Sequence, residues 1–536
     1  MGSKSRAWMW IGIVALIFLA GSFIVVKIVI AHAEPILRAR VLQTLSARFH
    51  GKVQLEGFGV AVGNGVQVTG SGLTIFGAAA ANPYEPGIQP LLNVRQFRFQ
   101  TSLRSLFQWP MHIDTVYVDG LELNIPPKGG RQEISHWRAK GSRASIFFDQ
   151  IDCEDARLVI DTVNPNKPPL QFAIKHLTLK DVGPGRPFQF DATLVNPKPV
   201  GDIYSVGLFG PWQEADPRQT PVQGHYSFTH ADLGTIKGIA GMLSSTGEYS
   251  GSLGNIVIDG STDTPDFRIA TSGHPVRLHT DFHAIVDGTS GDTYLRPVNA
   301  DFLHSALTAN GSIVRVKDPH GHDIELDVVL DHARIQDLLQ LGVHTEPPIM
   351  NGPVEMNTRL SLSPGEAAVA DRLRLNGTFH VLDAHFSNHK VQDKLDNFSL
   401  ISQGKPKQAH QHLEETVPTD LKGTFTLGNG LLSFSVLHFL IPGTNIQMAG
   451  VYSLDGKTFD FHGKAKLEAT LSQMTIGWKS ILLKPVDPFF RKEGAGTEVP
   501  IRVSGTESEP HVGLDFGHKH DHVSGQKKSD VLSQSR

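Results

Sequence analysis

Three histidines near the end of the chain, His518, His520 and His522, recur at every second position, with Asp521 among them. Imidazoles and a carboxylate are donors that a divalent transition metal accepts. A stable site also needs a rigid scaffold and outer partners that orient the rings. The sequence offers neither: apolar residues thin out from His518, and Lys519 to Arg536 reads as a disordered, solvated tail. His410 and His412 lie in the polar stretch Lys405 to Thr419 and carry the same weak invitation. No bound metal is expected.

Carboxylates gather in two places, Asp259, Asp263 and Asp266, then Asp281, Asp287 and Asp292. Paired acids perform glycoside hydrolysis, and similar clusters hold calcium. Here Asp259 and Asp287 each precede glycine and Pro265 separates Asp263 from Asp266, so turn chemistry accounts for them. The phosphate loop Gly-x-x-x-x-Gly-Lys-Ser/Thr, the zinc helix His-Glu-x-x-His and the nucleophile elbow Gly-x-Ser-x-Gly are all missing. Gly57, Gly59 and Asn64-Gly65 sit among alternating strands rather than before a helix, which reads as hairpin punctuation. The expectation is a protein with no catalytic residues and no cofactor. A secreted carbohydrate-active enzyme is what those acids would imply if they acted in pairs.

The rest of the chain must position something other than a reaction centre. Its 536 residues carry a formal net charge of -4, too balanced for a nucleic-acid binder. Asn-Gly recurs at Asn64, Asn310, Asn351, Asn376 and Asn429, and Asp-Gly at Asp119, Asp259, Asp287 and Asp455. These dipeptides favour tight hairpin turns. Alternating segments flank most of them, among them Val94 to Phe99, Ile324 to Val328 and Thr424 to Leu427. Period-two alternation places apolar side chains on one sheet face. The body from Val53 to Val503 therefore reads as mainly β, built of consecutive antiparallel strands.

Three helical stretches interrupt it. Glu34 to Phe49 is amphipathic, with Ile36, Leu37, Val41, Leu45 and Phe49 opposite Arg38, Arg40 and Arg48; it lies at a membrane interface or caps the first strands. Ala333 to Leu341 is a short helix with Ile335, Leu338 and Leu339 inward, and Leu471 to Phe490 is a broken one. Ahead of them, Trp8 to Ile30 is an apolar run long enough to span a bilayer core of about 30 Å. It exceeds a signal-peptide core, although Ala31-His32-Ala33 offers a cleavage site. Lys4 and Arg6 place the N-terminus in the cytoplasm, and the body is exported. Cys153 is the single cysteine, so no intramolecular disulfide supports the fold. The expected organisation is residues 1–33 as anchor, 34–345 as a β-rich region with its cap helix, 346–517 as a second β-rich region and 518–536 as tail.

The order of several fragments carries a resemblance. Val53-Gln-Leu-Glu-Gly57, Gly70 to Ile75, Leu103 to Phe107 and Ile113 to Leu123 come first. Leu421-Lys-Gly-Thr-Phe-Thr-Leu-Gly-Asn-Gly430, Ile441-Pro-Gly-Thr444, Leu471 to Met474 and Val499 to Thr506 follow, with Pro510. Over nearly its whole length the chain resembles the AsmA-like family of bacterial envelope proteins, which is similar to chorein-type bridge lipid-transfer proteins. The resemblance implies an inner-membrane anchor and a periplasmic body. It also implies an elongated, twisted antiparallel β-sheet forming an open apolar groove. The implied work is phospholipid traffic that supports outer-membrane lipid homeostasis and integrity. An assembly factor that binds outer-membrane proteins by strand addition, without lipid cargo, is the alternative.

Periodicity alone fits a packed sandwich core better than a groove; the resemblance reverses that preference. The residues expected to line the groove are Phe97 and Phe99, then Ile324, Leu326 and Val328, then Phe425 and Leu427. The expected partners are phospholipids, the inner membrane and other envelope proteins.

Overall fold

The computed structural model describes residues 35, 38–39, 41–43, 45–46, 52–62, 65–76, 90–102, 111–125, 146–160, 169–213, 215–270, 273–317, 320–344, 346–410, 417–454, 458–470, 473–474, 497–506 and 509–514. Strands make up 68% of them. The apolar run Trp8 to Ile30, Asn64, the helix expected over 471–490 apart from residues 473 and 474, and the histidines of the tail lie outside the described residues. Among the described residues, no helix is long and apolar enough to cross a membrane. Two compact units are present. The first runs to Phe379 and includes Thr426–Gly430; the second holds His380–Phe425 and the chain from Leu431.

In the first unit, β1 (Val53–Val62), β2 (Val66–Ile75), β3 (Leu92–Thr101) and β4 (Met111–Ile125) pair antiparallel in that order. The next step departs from the consecutive antiparallel order that the sequence predicts. β4 and β5 (Ile146–Ile160) run parallel, with Val116 beside Ile151. A parallel pair needs a long crossover rather than a hairpin, and residues 126–145 supply the length. An antiparallel meander then continues through β6 (Leu170–Val182), β7 (Phe188–Pro197), β8 (Val200–Phe209) and β9 (Pro221–Asp232). After the two-residue β10 (Ile239–Ala240) come β11 (Met242–Ser252), β12 (Asn255–Ile269), β13 (Val276–Asp287) and β14 (Asp292–Phe302). β15 (Ser305–Lys317) and β16 (His320–Arg334) follow, then the short β17 (Met350–Asn351) and β18 (Pro353–Leu362), which pairs with β16. β19 (Leu373–Val381) lies beside β18, where the Thr358 hydroxyl donates to the Asn376 carbonyl.

The second unit holds the short β20 (His385–Phe386), most of β21 (Asp420–Gly428), and an antiparallel run. That run is β22 (Leu431–Ile441), β23 (Thr444–Ser453), β24 (Phe459–Leu467), β25 (Thr497–Gly505) and β26 (Pro510–Leu514). A helix over His389–Ser402 packs here, its Ser399 hydroxyl donating to the Pro442 carbonyl at 2.7 Å. The sequence reading passed over this helix. Asn388, whose side chain accepts from the Lys390 amide, is the cap that marked its start.

Several expected turns are strand interiors instead. Asn429 and Gly430 both take positive φ, as a tight hairpin requires, and Asp287 ends β13. Asp119, Asp259, Asn310 and Asn376 lie inside β4, β12, β15 and β19. Their glycine neighbours serve close approach. A Cβ on Gly311 would stand 2.0 Å from the Glu325 carbonyl oxygen, and one on Gly377 2.3 Å from that of Asn357. Elsewhere the missing Cβ makes room for a ring. Gly70 faces Phe97 in register, and a Cβ there would lie 2.2 Å from the Phe97 ring.

Candidate functional site

Residues paired directly across a sheet share a face, so the registers trace rows running from strand to strand. One begins at Val60 and passes through Val68, Phe99, Val116, Ile151, Leu179 and Phe190. It continues through Gly207, Gly224, Tyr249, Ile258, Ala284, Leu295 and Gly311 to Leu326 and Leu360. A second row lies two residues along each strand, or three at the irregularity between Leu295 and Val298 in β14. It joins Phe58, Gly70, Phe97, Val118, Cys153, Leu177 and Ala192 to Ser205, Tyr226, Gly247 and Gly260. From there it reaches Phe282, Val298, Ala309, Val328 and Thr358. Each crosses sixteen strands of the first unit without an Asp, Glu, Lys, Arg or His. A third, beginning at Phe188 and Phe209, runs through Ile313 and Ile324 to Leu362.

Five of the seven residues singled out from the sequence thus lie on three adjoining rows of one face: Phe97, Phe99, Ile324, Leu326 and Val328. Phe97, Phe99, Ile324 and Leu326 are half-buried, and Val328 is buried. Phe425 and Leu427, in β21, are both only 5% exposed, interior positions with little surface to offer a ligand.

The opposite face is polar. Arg98, Tyr117, Asp152, Thr178 and Asp191 follow one another across β3 to β7. His225, Glu248, Asp259 and His283 do so across β9 to β13. Arg359 pairs with Asp327 at 2.9 Å, and its hydrogen bond holds that carboxyl below the usual carboxylate range. The acids that raised the question of chemistry each have partners, and Asp263 and Asp281 share His279, at 3.8 and 3.7 Å. Asp259 bonds His283 at 2.8 Å, Asp263 accepts from Arg277 at 3.1 Å and Asp287 accepts from Arg218 at 2.7 Å. Asp266 accepts from the Met242 amide and Asp292 from the Arg315 amide. Among the described residues, no three His, Cys, Asp or Glu side chains gather as metal ligands.

The apolar face lies on the inside of a curl. Arg315 follows Ile313 by two residues on that face, and its guanidinium donates to the Pro169 carbonyl at 3.3 Å, just ahead of β6. β6 and β15 are eight steps apart in the sheet, about 38 Å if it were flat. One side chain spans what remains, so the intervening strands bend with the apolar side inward. A twist of roughly 20–25° per strand makes close to a half-turn over eight steps. That rotation explains how the end of β15 meets the opposite end of β6. The Val369 amide likewise donates to the Lys237 carbonyl, beyond β9.

Helices cover parts of this face. The described residues between Pro35 and Ser46 are helical, and Leu42 and Leu45 pack on Leu55, Leu73, Ile75 and Val94 at its start. The Arg38 guanidinium donates to the Leu55 carbonyl at 2.8 Å, so this helix caps the first strands. A second helix, Ile335–Gly342, touches β12 and β16. Its most buried residue is Asp337 rather than an apolar one; the carboxylate accepts from the His304 amide and the Ser305 hydroxyl at 2.9 and 2.7 Å.

Six hydroxyls on the apolar face escaped the sequence reading. Ser205 and Ser245 give their protons to the His225 and Ser261 carbonyls, so Tyr249 and Tyr226 donate to them. Burial pushes both tyrosine pKa values up. Thr262 and Thr280 face each other at 2.6 Å. The alternation Val222, Gly224, Tyr226, Phe228 was the available signal for Tyr226. No family model matches the chain, and neither a curated protein nor a solved structure does.

Proposed function

We propose that the protein is a lipid-handling component of the bacterial envelope, holding phospholipid acyl chains along the apolar face of its first unit. In this proposal Trp8 to Ile30 anchors it in the inner membrane. The body works in the periplasm, supporting outer-membrane lipid homeostasis and integrity. The observation that carries the proposal is the run of uncharged rows through Phe99, Phe97 and Ile324, the longer two extending roughly 70 Å along the sheet. An apolar sheet face is covered by closure, by a second layer or by a ligand. Here it is concave, many of its large side chains are half-buried, and the described helices lie only over parts of it. Hydrocarbon suits such a surface, at about 0.8 kcal/mol per buried CH₂. The resemblance to AsmA-like proteins points the same way.

Leu326→Glu is the test. It puts a carboxylate into a hydrocarbon row, one strand from the end of that row, where an unpaired charge costs several kcal/mol. Wild-type protein should carry phospholipid detectable by mass spectrometry and crosslink to lipid along the rows. The variant should lose both while its circular dichroism stays β-like. A folded variant that holds lipid as well as wild type would overturn the proposal. The alternative, a scaffold for outer-membrane proteins, draws support from β1, which among the described residues pairs only with β2 and offers a strand edge.

A further inference from the structure

We infer that Thr262 and Thr280 seat the ester carbonyl of an acyl lipid, an inference that rests on the lipid-holding reading above. The argument begins with where hydroxyl protons go. Ser245 gives its proton to the Ser261 carbonyl, and Tyr226 then gives its own to Ser245. Ser205 and Tyr249 repeat the arrangement against the His225 carbonyl. All four donors are spent inside the protein. The threonine pair differs. Its two oxygens lie 2.6 Å apart, so one hydroxyl donates to the other, and the second keeps a hydrogen with no protein acceptor among the described residues. Both side chains are half-buried on the apolar face, within a ligand's reach.

Their position fits an ester. Phe228, Ser245, Thr262, Thr280 and Ala300 form the next row beyond Tyr226 and Phe282. The row after that holds Thr264 and Phe302, which are buried. On the other side lie the three apolar rows. Two residues of strand advance about 6.8 Å, so from Thr280 to the outermost apolar row is about 20 Å. One leaflet of a bilayer core is about 15 Å thick. A tail therefore lies across the three rows, parallel to the strands, with its carbonyl against the threonine pair. The ligand this selects has an acceptor at the head of its hydrocarbon. The free hydroxyl donates to that carbonyl, and no covalent bond changes.

Ester-linked and ether-linked phosphatidylcholine with equal chains separate the possibilities, because the ether form lacks the carbonyl. Full-length protein should bind the ester lipid about fivefold more tightly, the value of one modest hydrogen bond. Thr262→Val with Thr280→Val keeps side-chain shape and β propensity, and should bind both lipids equally, at the wild-type affinity for the ether form. If wild type binds both equally, the threonine assignment fails and the lipid-holding reading stands. If it binds neither, the lipid-holding reading itself fails. A preference that persists in the double variant also overturns the assignment. Should the double variant misfold by circular dichroism, Thr262→Ser with Thr280→Ser, which keeps both hydroxyls, and Thr262→Ala with Thr280→Ala, which removes both, replace it. The preference must then survive the first pair of changes and vanish in the second.

Discussion

Cys153 lies on the second apolar row, 2% exposed, and burial followed by the neighbouring charge of Asp152 pushes its thiol pKa up to about 11. Folding therefore favours the protonated thiol. Its contribution is fully present below the ordinary value near 9 and declines as pH climbs toward 11, where the unfolded chain gains by ionising. Roughly 2–3 kcal/mol is at stake. Urea denaturation between pH 8 and 11 should show wild type losing that much more stability than Cys153→Ala. Parallel curves would mean that the thiol ionises freely. A second residue, Asp337, is 3% exposed and is the acceptor for two donors in the first unit. Asp337→Ala leaves the His304 amide and the Ser305 hydroxyl without it, which should cost about 2–4 kcal/mol in the same assay. Asp337→Asn, keeping an acceptor oxygen, should cost less. The large apolar residues of this face were legible in the sequence and its hydroxyls were not. Phe97, Phe99 and Leu326 stand out because large apolar side chains alternate with charges. Threonine and serine suit either face of a strand, and nothing in Thr262 or Thr280 alone says which face receives it.

Elements were legible where period two was clean and misread where glycine intervened. Asn-Gly makes a two-residue hairpin turn where both residues take positive φ, as Asn429 and Gly430 do. At Gly311 and Gly377 the same dipeptide occurs because the neighbouring carbonyl leaves no room for a Cβ. A single sequence does not distinguish these uses, since the deciding atom belongs to another strand. The helix Ile335–Gly342 was expected from Ala333 to Leu341 and occurs there, but its interior is organised by Asp337 rather than by leucines alone. The helix His389–Ser402 was missed because its apolar positions are sparse among polar ones. The parallel pairing of β4 with β5 was unreadable for another reason: strand direction depends on the crossover, and no local pattern reports it.

For the whole molecule, the proposal of an anchored periplasmic body has a direct test. A reporter fused after Arg536 should be active only in the periplasm, and the mature protein should retain Trp8. Recovery of a soluble form beginning at Glu34 would refute the anchor. The mainly β class was legible because alternating segments recur along most of the chain. The curl was not, because it follows from twist accumulated over many strands and shows itself only in contacts such as Arg315 with Pro169.

The parallel step from β4 to β5 has a consequence for access. In an unbroken up-and-down meander β16 would end on the bank opposite the start of β1. One parallel step swaps every later strand, so β16 ends on the same bank. The helix leading into β1 and the helix leaving β16 therefore stand on one bank of the apolar channel. The other carries short connections, such as those from β11 to β12 and from β13 to β14. A sheet with two equivalent sides thus gains a walled side and a low one. Whatever enters by the low side meets the three rows first and the threonine pair last.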